Sequence, residues 1–246
     1  MEVRALKLKI VGMMCVKNEA RWIKDNVLSL FPLCDQVFML DDHSTDDTAE
    51  ICRAIPGVTV FDSPFDGFNE VRDKNFLLEK VLASKPDWVI GLDGDERLAG
   101  DAQVEIMKAI DSGRASAYYC RILYLWNNPN TIRIDGVYGN FHRISIWRNE
   151  QNGLRFRSPF KSNLHCTNAP DGQTSVACRN VRFLHFGYMH VEDRLRKFAW
   201  YNEKDPNNAV EDGYLHMIQG DPGGPPADAV LKHAGPLVLG TLVETA

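Results

Sequence analysis

Short apolar runs and amphipathic stretches take turns along the first hundred residues of the chain. Leu8 to Val16 is an apolar run too short for a buried helix, so it predicts a strand. Glu19 to Phe31 follows with Ile23, Val27 and Leu30 at helical spacing, and Gln36 to Leu40 returns to a strand pattern. Asp46 to Ala54 reads as a short helix, Val58 to Phe61 as a third strand, Asn69 to Ala83 as a longer helix and Trp88 to Leu92 as a fourth strand. Strands alternating with helices predict a parallel sheet covered on both faces, and such sheets collect ligands beyond the carboxyl ends of their strands.

The second half changes character. After a helix over Asp101 to Asp111, the aromatic and β-branched segments Ala117 to Trp126, Thr131 to Asp135 and Phe141 to Trp147 predict a mixed β extension. Gly153 to Asn180 is irregular and polar, Val181 to Phe186 reads as a strand and Glu192 to Asn202 as a helix. Gly220-Asp221-Pro222-Gly223-Gly224-Pro225-Pro226 is a cluster of breakers, which predicts a loose tail. The expected division is 1–112 for the α/β half, 113–220 for a second half of the same domain and 221–246 for a flexible tail.

The 246 residues are 44% hydrophobic and 25% charged, as in an ordinary globular protein. A net charge of -5 argues against a nucleic-acid partner. The apolar run near the N-terminus is short and runs into Lys17-Asn18-Glu19, so neither a spanning helix nor a signal peptide is expected. Six scattered cysteines without paired spacing read as reduced thiols, which points to a cytoplasmic location.

Acidic residues bring chemistry into this pattern. Lys17-Asn18-Glu19 follows the first strand, Asp41-Asp42-His43-Ser44-Thr45-Asp46 the second, and Asp93-Gly94-Asp95-Glu96 the fourth. Turning the chain needs Gly, Pro or one Asx residue, not this many carboxylates on one rim. Their repulsion calls for a cation, and hard oxygen ligands suit Mg²⁺ or Mn²⁺. Read as extended backbone, Asp93 and Asp95 share a face, and Gly94 allows a close approach to the backbone.

Val11 to Thr48, with Lys17-Asn18-Glu19 and Leu40-Asp41-Asp42-His43-Ser44-Thr45-Asp46-Asp47-Thr48, resembles the family 2 glycosyltransferases of the GT-A fold. Asp93-Gly94-Asp95 stands where that family carries its Asp-x-Asp motif. Phe183 to Tyr188, followed by Arg196-Lys197-Phe198, resembles the family's C-terminal strand and helix. The resemblance implies an α/β fold with a Rossmann-like, mostly parallel sheet flanked by helices. It also implies a nucleotide-diphosphate sugar donor, a UDP-sugar by preference, and a carbohydrate or other hydroxyl acceptor.

The same resemblance assigns roles to residues. Asp95 would bind the metal directly, Asp93 the metal through water or the ribose, and His185 would complete the shell. Asp41 or Asp42 would meet the base and Glu19 the base or ribose, while Arg72 and Asn75 would face the diphosphate. The related branch takes its general base from a His-Glu pair after Arg-Asn and Arg-Phe. Here Arg148-Asn149 and Arg155-Phe156 are present, but the pair reads His165-Cys166. His165 is therefore the expected base, with Asp171 or Glu96 as alternatives.

Other readings stay open at this level. A sugar nucleotidyltransferase would need a glycine-rich basic loop after the first strand. A catalytically inactive glycan-binding module would fit the missing Glu but not the intact acidic triplet. Tyr124, Trp126, Tyr138, Phe141, Trp147 and Phe160 are sugar-stacking candidates, although strand spacing favours the core. Lys232 to Pro236 is a candidate lid, and peripheral membrane contact is left open.

Overall fold

The computed structural model describes residues 8–150, 153–159, 163–167, 169–211 and 213–243. Phe160 lies outside them. Four strands alternate with helices as the pattern requires: β1 (Ile10–Val16), α1 (Ile23–Leu28), β2 (Gln36–Asp41), α2 (Thr48–Arg53), β3 (Val58–Asp62), α3 (Glu70–Ala83) and β4 (Trp88–Gly91). They lie in the order β3-β2-β1-β4, all parallel. Period-two alternation divides β1 between the two faces. Ile10, Met14 and Val16 join Ile23 and Val27 of α1 and Cys52 of α2, whereas Val11 and Met13 meet Leu77, Leu78 and Val81 of α3. Gly12 is small because a Cβ there would stand 2.9 Å from Leu30.

A short strand β5 (Glu96–Leu98) and helix α4 (Ala102–Asp111) lead into the second half. This half contributes β6 (Ala117–Trp126), β7 (Asn128–Arg133), β8 (His142–Arg148), β9 (Ser175–His185) and α5 (Val191–Lys204). β8 pairs antiparallel with β4 and so joins the mixed extension to the parallel half in one sheet. β9 begins earlier than its apolar stretch suggests: Ser175 to Cys178, inside the stretch expected to be irregular, pair parallel with the first part of β6. Exposed positions on an edge need no apolar signal. β5 was not expected, and it pairs antiparallel with the end of β9 so that Glu96 lies opposite His185.

The tail departs from its expected looseness. Strand β10 (Leu239–Thr241) pairs antiparallel with β7. Fully buried Arg133 donates to Asp135, to His216 O and to Gln219 Oε1, the last two at 2.5 Å. The Gln219 amide donates in turn to three tail carbonyls, those of Ala227, Ala229 and Gly235. Gly and Pro break helices and strands there, but these hydrogen bonds hold the irregular backbone without either. Of the aromatic candidates for sugar stacking, Trp126, Tyr138 and Trp147 are core residues. Among the described residues no helix is long and apolar enough to cross a membrane.

Candidate functional site

A cleft of about 440 Å³ opens at the carboxyl ends of β1, β2 and β4, walled on the far side by α5. Glu19, Asp42, Asp93, Asp95, His165 and His185 all line it. The polar loops after β1 and β2 are knit together at its floor. Asn18 Oδ1 accepts from Thr45 N at 2.7 Å, Ser44 Oγ from Asn18 N at 2.9 Å and Thr48 Oγ1 from Glu19 N at 2.8 Å. Asn18 and His43 take left-handed backbone (φ 54 for both), which lets both loops double back.

The acidic triplet is a turn, not a strand. β4 ends at Gly91, so the expectation that Asp93 and Asp95 share an extended face does not hold. The buried Asn26 side chain of α1 donates to Gly94 O at 2.7 Å and fixes the turn. Gly94 is required because a Cβ there would stand 2.8 Å from Glu19 Cγ. The turn sends the two carboxylates to different cations. Arg143 of β8 bridges Asp93 and Glu96, and Lys197 of α5 reaches Asp95 Oδ2 at 2.9 Å.

His185 closes β9 with Nε2 3.6 Å from the same Asp95 oxygen, and its ring stacks on Tyr188 at 4.8 Å. Burial pushes the His185 imidazole below its ordinary range, with the Asp95 charge opposing. Burial alone would raise the Asp95 carboxyl, but His185 and Lys197 outweigh it and hold the group well below the carboxylate range. Glu19 shows the opposite balance: burial first, then the Asp95 charge, push it up to about 8. Asp42 is also raised by burial, with Lys17 Nζ opposing from 3.3 Å.

Three expected donor contacts fall outside this cleft. Asp41 is buried at the end of β2, where Oδ2 accepts from Ser44 N at 3.0 Å and shapes the loop. Arg72 and Asn75 border a separate groove on the outer side of α3. The Arg72 guanidinium stacks over Phe65 at 4.4 Å and donates to Gly67 O, and Asn75 exchanges hydrogen bonds with the Phe156 backbone. One-turn spacing correctly put the two on one face of α3, but rotation of the helix decides which side that face serves. Of the alternative bases, Glu96 is buried under Arg143 and raised to about 7 by burial, and Asp171 pairs with exposed Arg157.

Four residues carry more of the site than sequence reasoning gave them. Glu70 and Lys74 open α3 toward the cleft, Arg143 comes from β8, and Lys197 stands out in the sequence only as part of Arg196-Lys197-Phe198. The sequence held one usable signal, the i, i+4 spacing of Glu70 and Lys74.

The model for glycosyl transferase family 2 matches residues 13–170, more than half of the chain. The chain belongs to that family. A Mycobacterium tuberculosis protein described as uncharacterized is 26% identical over 81% of this chain and 51% of its own length. The chain thus spans about half the length of this relative. A Rickettsia bellii protein described as an uncharacterized glycosyltransferase is 25% identical over 85% of this chain and 70% of its own. Among solved structures, residues 1–349 of S. aureus TarS in complex with UDP superpose with a TM-score of 0.51 at 15% identity, covering 86% of this chain and 69% of that one. At that identity the likeness establishes the GT-A fold for this family 2 chain.

For a divalent ion, the donor set of this family 2 cleft is partial. Asp95 and His185 face each other, and buried His185 Nδ1 has no hydrogen-bond partner among the described residues. Asp93 is turned to Arg143, and no three His, Cys, Asp or Glu groups converge among the described residues. Two protein donors are compatible with Mg²⁺ or Mn²⁺ completed by water and substrate phosphates.

Proposed function

We propose that this family 2 chain transfers a sugar from a nucleoside-diphosphate donor, a UDP-sugar by preference, to a hydroxyl acceptor with inversion. The observation that carries the reading is the charge layout of the cleft. Acids from three strand ends, Asp42 among them paired with Lys17, meet Arg196 and Lys197 of α5 around one cleft at the carboxyl rim of a parallel sheet. An acidic floor suits the hydroxyls and N–H groups of a ribose and base, and cations on the opposite wall suit a diphosphate. UDP in the TarS complex supports the same class of donor.

In this reading His165 takes the proton of the acceptor hydroxyl as its oxygen attacks the anomeric carbon. The bond from that carbon to the diphosphate breaks, and the diphosphate leaves with the electron pair. Lys197 and Arg196, which line the cleft, would neutralise the charge that builds on it. Asp95 and His185 are the residues that would hold a divalent ion, with Asp93 reaching it through water or binding the ribose. Such an ion would act as a Lewis acid on the leaving phosphate.

The test is a panel of nucleotide sugars with Mn²⁺, read by release of the nucleoside diphosphate. Alongside it, thermal stability is followed with UDP, with Mn²⁺ and with both. Release from a UDP-sugar and joint stabilisation by UDP and Mn²⁺ are the expected results. Stabilisation by ATP alone, or release from no donor, would overturn the reading.

A further inference from the structure

The wall of the cleft formed by α3 carries a row of groups that the transfer step does not use. Lys74 Nζ lies 2.6 Å from Glu70 Oε1. Glu70 Oε2 accepts from Cys166 N at 3.2 Å and stands 3.6 Å from His165 Nδ1. One backbone and one side-chain hydrogen bond lock this arrangement: Glu70 N donates to Asn163 O at 3.0 Å and Asn69 Nδ2 to Asn163 Oδ1 at 3.0 Å. The first turn of α3 therefore grips the segment that carries His165. Ser158 Oγ adds a hydrogen bond to His165 O at 3.1 Å.

We infer that Glu70 is the positioning carboxylate of His165: its charge, 3.6 Å from Nδ1, favours the tautomer with the proton on Nδ1 and leaves Nε2 to accept a proton from the cleft. The inference rests on the reading of His165 as the group that accepts the acceptor's proton. Glu70 makes good, from another element, the carboxylate that Cys166 does not supply. It is not itself the base, since Lys74 engages one of its oxygens and Cys166 N the other. Burial opposes its charge, but Lys74 and His165 hold it at about 2, too weak a base for a hydroxyl. Nor does Cys166 compete, since burial pushes its thiol up to about 12. During transfer the hydroxyl proton passes to Nε2, Nδ1–H stays on the ring, and the fixed Glu70 charge stabilises the imidazolium. Orienting carboxylates act on an imidazole by fixing its tautomer and angle.

Two measurements test this. Nitrogen NMR of ¹⁵N-histidine protein at alkaline pH, with the His165 signal assigned by His165→Gln, reports the tautomer directly. The Nδ1–H form is expected in the parent chain and in Glu70→Asp, and its loss in Glu70→Gln. An Nε2–H ring in the parent chain, or no change in Glu70→Gln, overturns the inference.

Donor hydrolysis supplies the second readout. Glu70→Gln is expected to lower kcat by about 10- to 100-fold with the donor KM within about twofold, and Glu70→Asp to recover part of the loss. In a His165→Ala background, Glu70→Gln should cost nothing more. A full additional loss there, or an effect confined to KM, would mean that Glu70 acts elsewhere. Should the parent chain hydrolyse no donor yet show the Glu70-dependent tautomer, the transferase reading fails and the pairing stands.

Discussion

Lys197 Nζ lies 2.9 Å from Asp95 Oδ2, so an ammonium from α5 sits on the second carboxylate of the acidic triplet. Gly187 makes the contact possible, since a Cβ there would collide with the Asp95 carboxylate and stand 2.6 Å from Lys197 Cε. Burial works against the Lys197 charge, but Asp95 and Glu19 overcome it and keep the amine protonated. Lys197→Met is expected to weaken UDP binding by at least about tenfold, the scale of one charge-assisted contact to phosphate. Isothermal calorimetry measures it, and unchanged affinity would remove Lys197 from the diphosphate site.

The two aspartates should separate in metal binding. Asp95→Asn and His185→Ala are expected to abolish the UDP-dependent uptake of Mn²⁺, followed by electron paramagnetic resonance. Asp93→Asn should retain it with less than about tenfold weakening, because Asp93 is turned to Arg143 and only Asp95 faces His185. Equal losses in all three would make Asp93 a direct ligand beside Asp95.

Arg72→Ala should leave the affinity for UDP within about twofold. Its guanidinium is spent on Phe65, Asp73 and two loop carbonyls bordering the outer groove. A tenfold or larger loss in a titration would show that the groove and the cleft share the donor.

Glu70 contributes a pH-dependent share of stability. Its carboxyl is held at about 2 against an ordinary 4.5, so the unfolded chain binds the proton more tightly. The contribution is complete above pH 4.5 and is lost as pH falls toward 2. Glu70→Gln is expected to unfold at lower denaturant at pH 7, by on the order of 2 kcal/mol, with the gap closing at the acid end. Parallel urea curves across that range check it, and a gap independent of pH would contradict it.

Gln219 joins the tail to Arg133. Its replacement by Ala leaves three carbonyls and a buried guanidinium short of partners, a loss of about 2 kcal/mol. Limited proteolysis is expected to cut faster between 220 and 238 while the cleft keeps its UDP affinity. A tail as resistant as in the parent chain would mean that β10 alone holds it.

Much of the fold is written in periodicity. Alternation along β1 and helical spacing along α3 require two covered faces, and that places strand ends, with Glu19, Asp42, Asp93 and Asp95, on one rim. Those signals are local, because each residue's neighbours within one element set its face. What local spacing cannot carry is rotation and distant pairing. Whether Arg72 or Glu70 on α3 faces the cleft depends on how the helix rolls against the sheet. The cations on Asp93 and Asp95 come from β8 and α5, far along the chain. Glu70 approaches His165 only once α3 packs against the 163–166 segment, and the tail finds its partners only once Gln219 meets Arg133 and β10 meets β7. Electrostatic partners depend on distance in space, so the sequence by itself named the acids while the tertiary structure chose their cations.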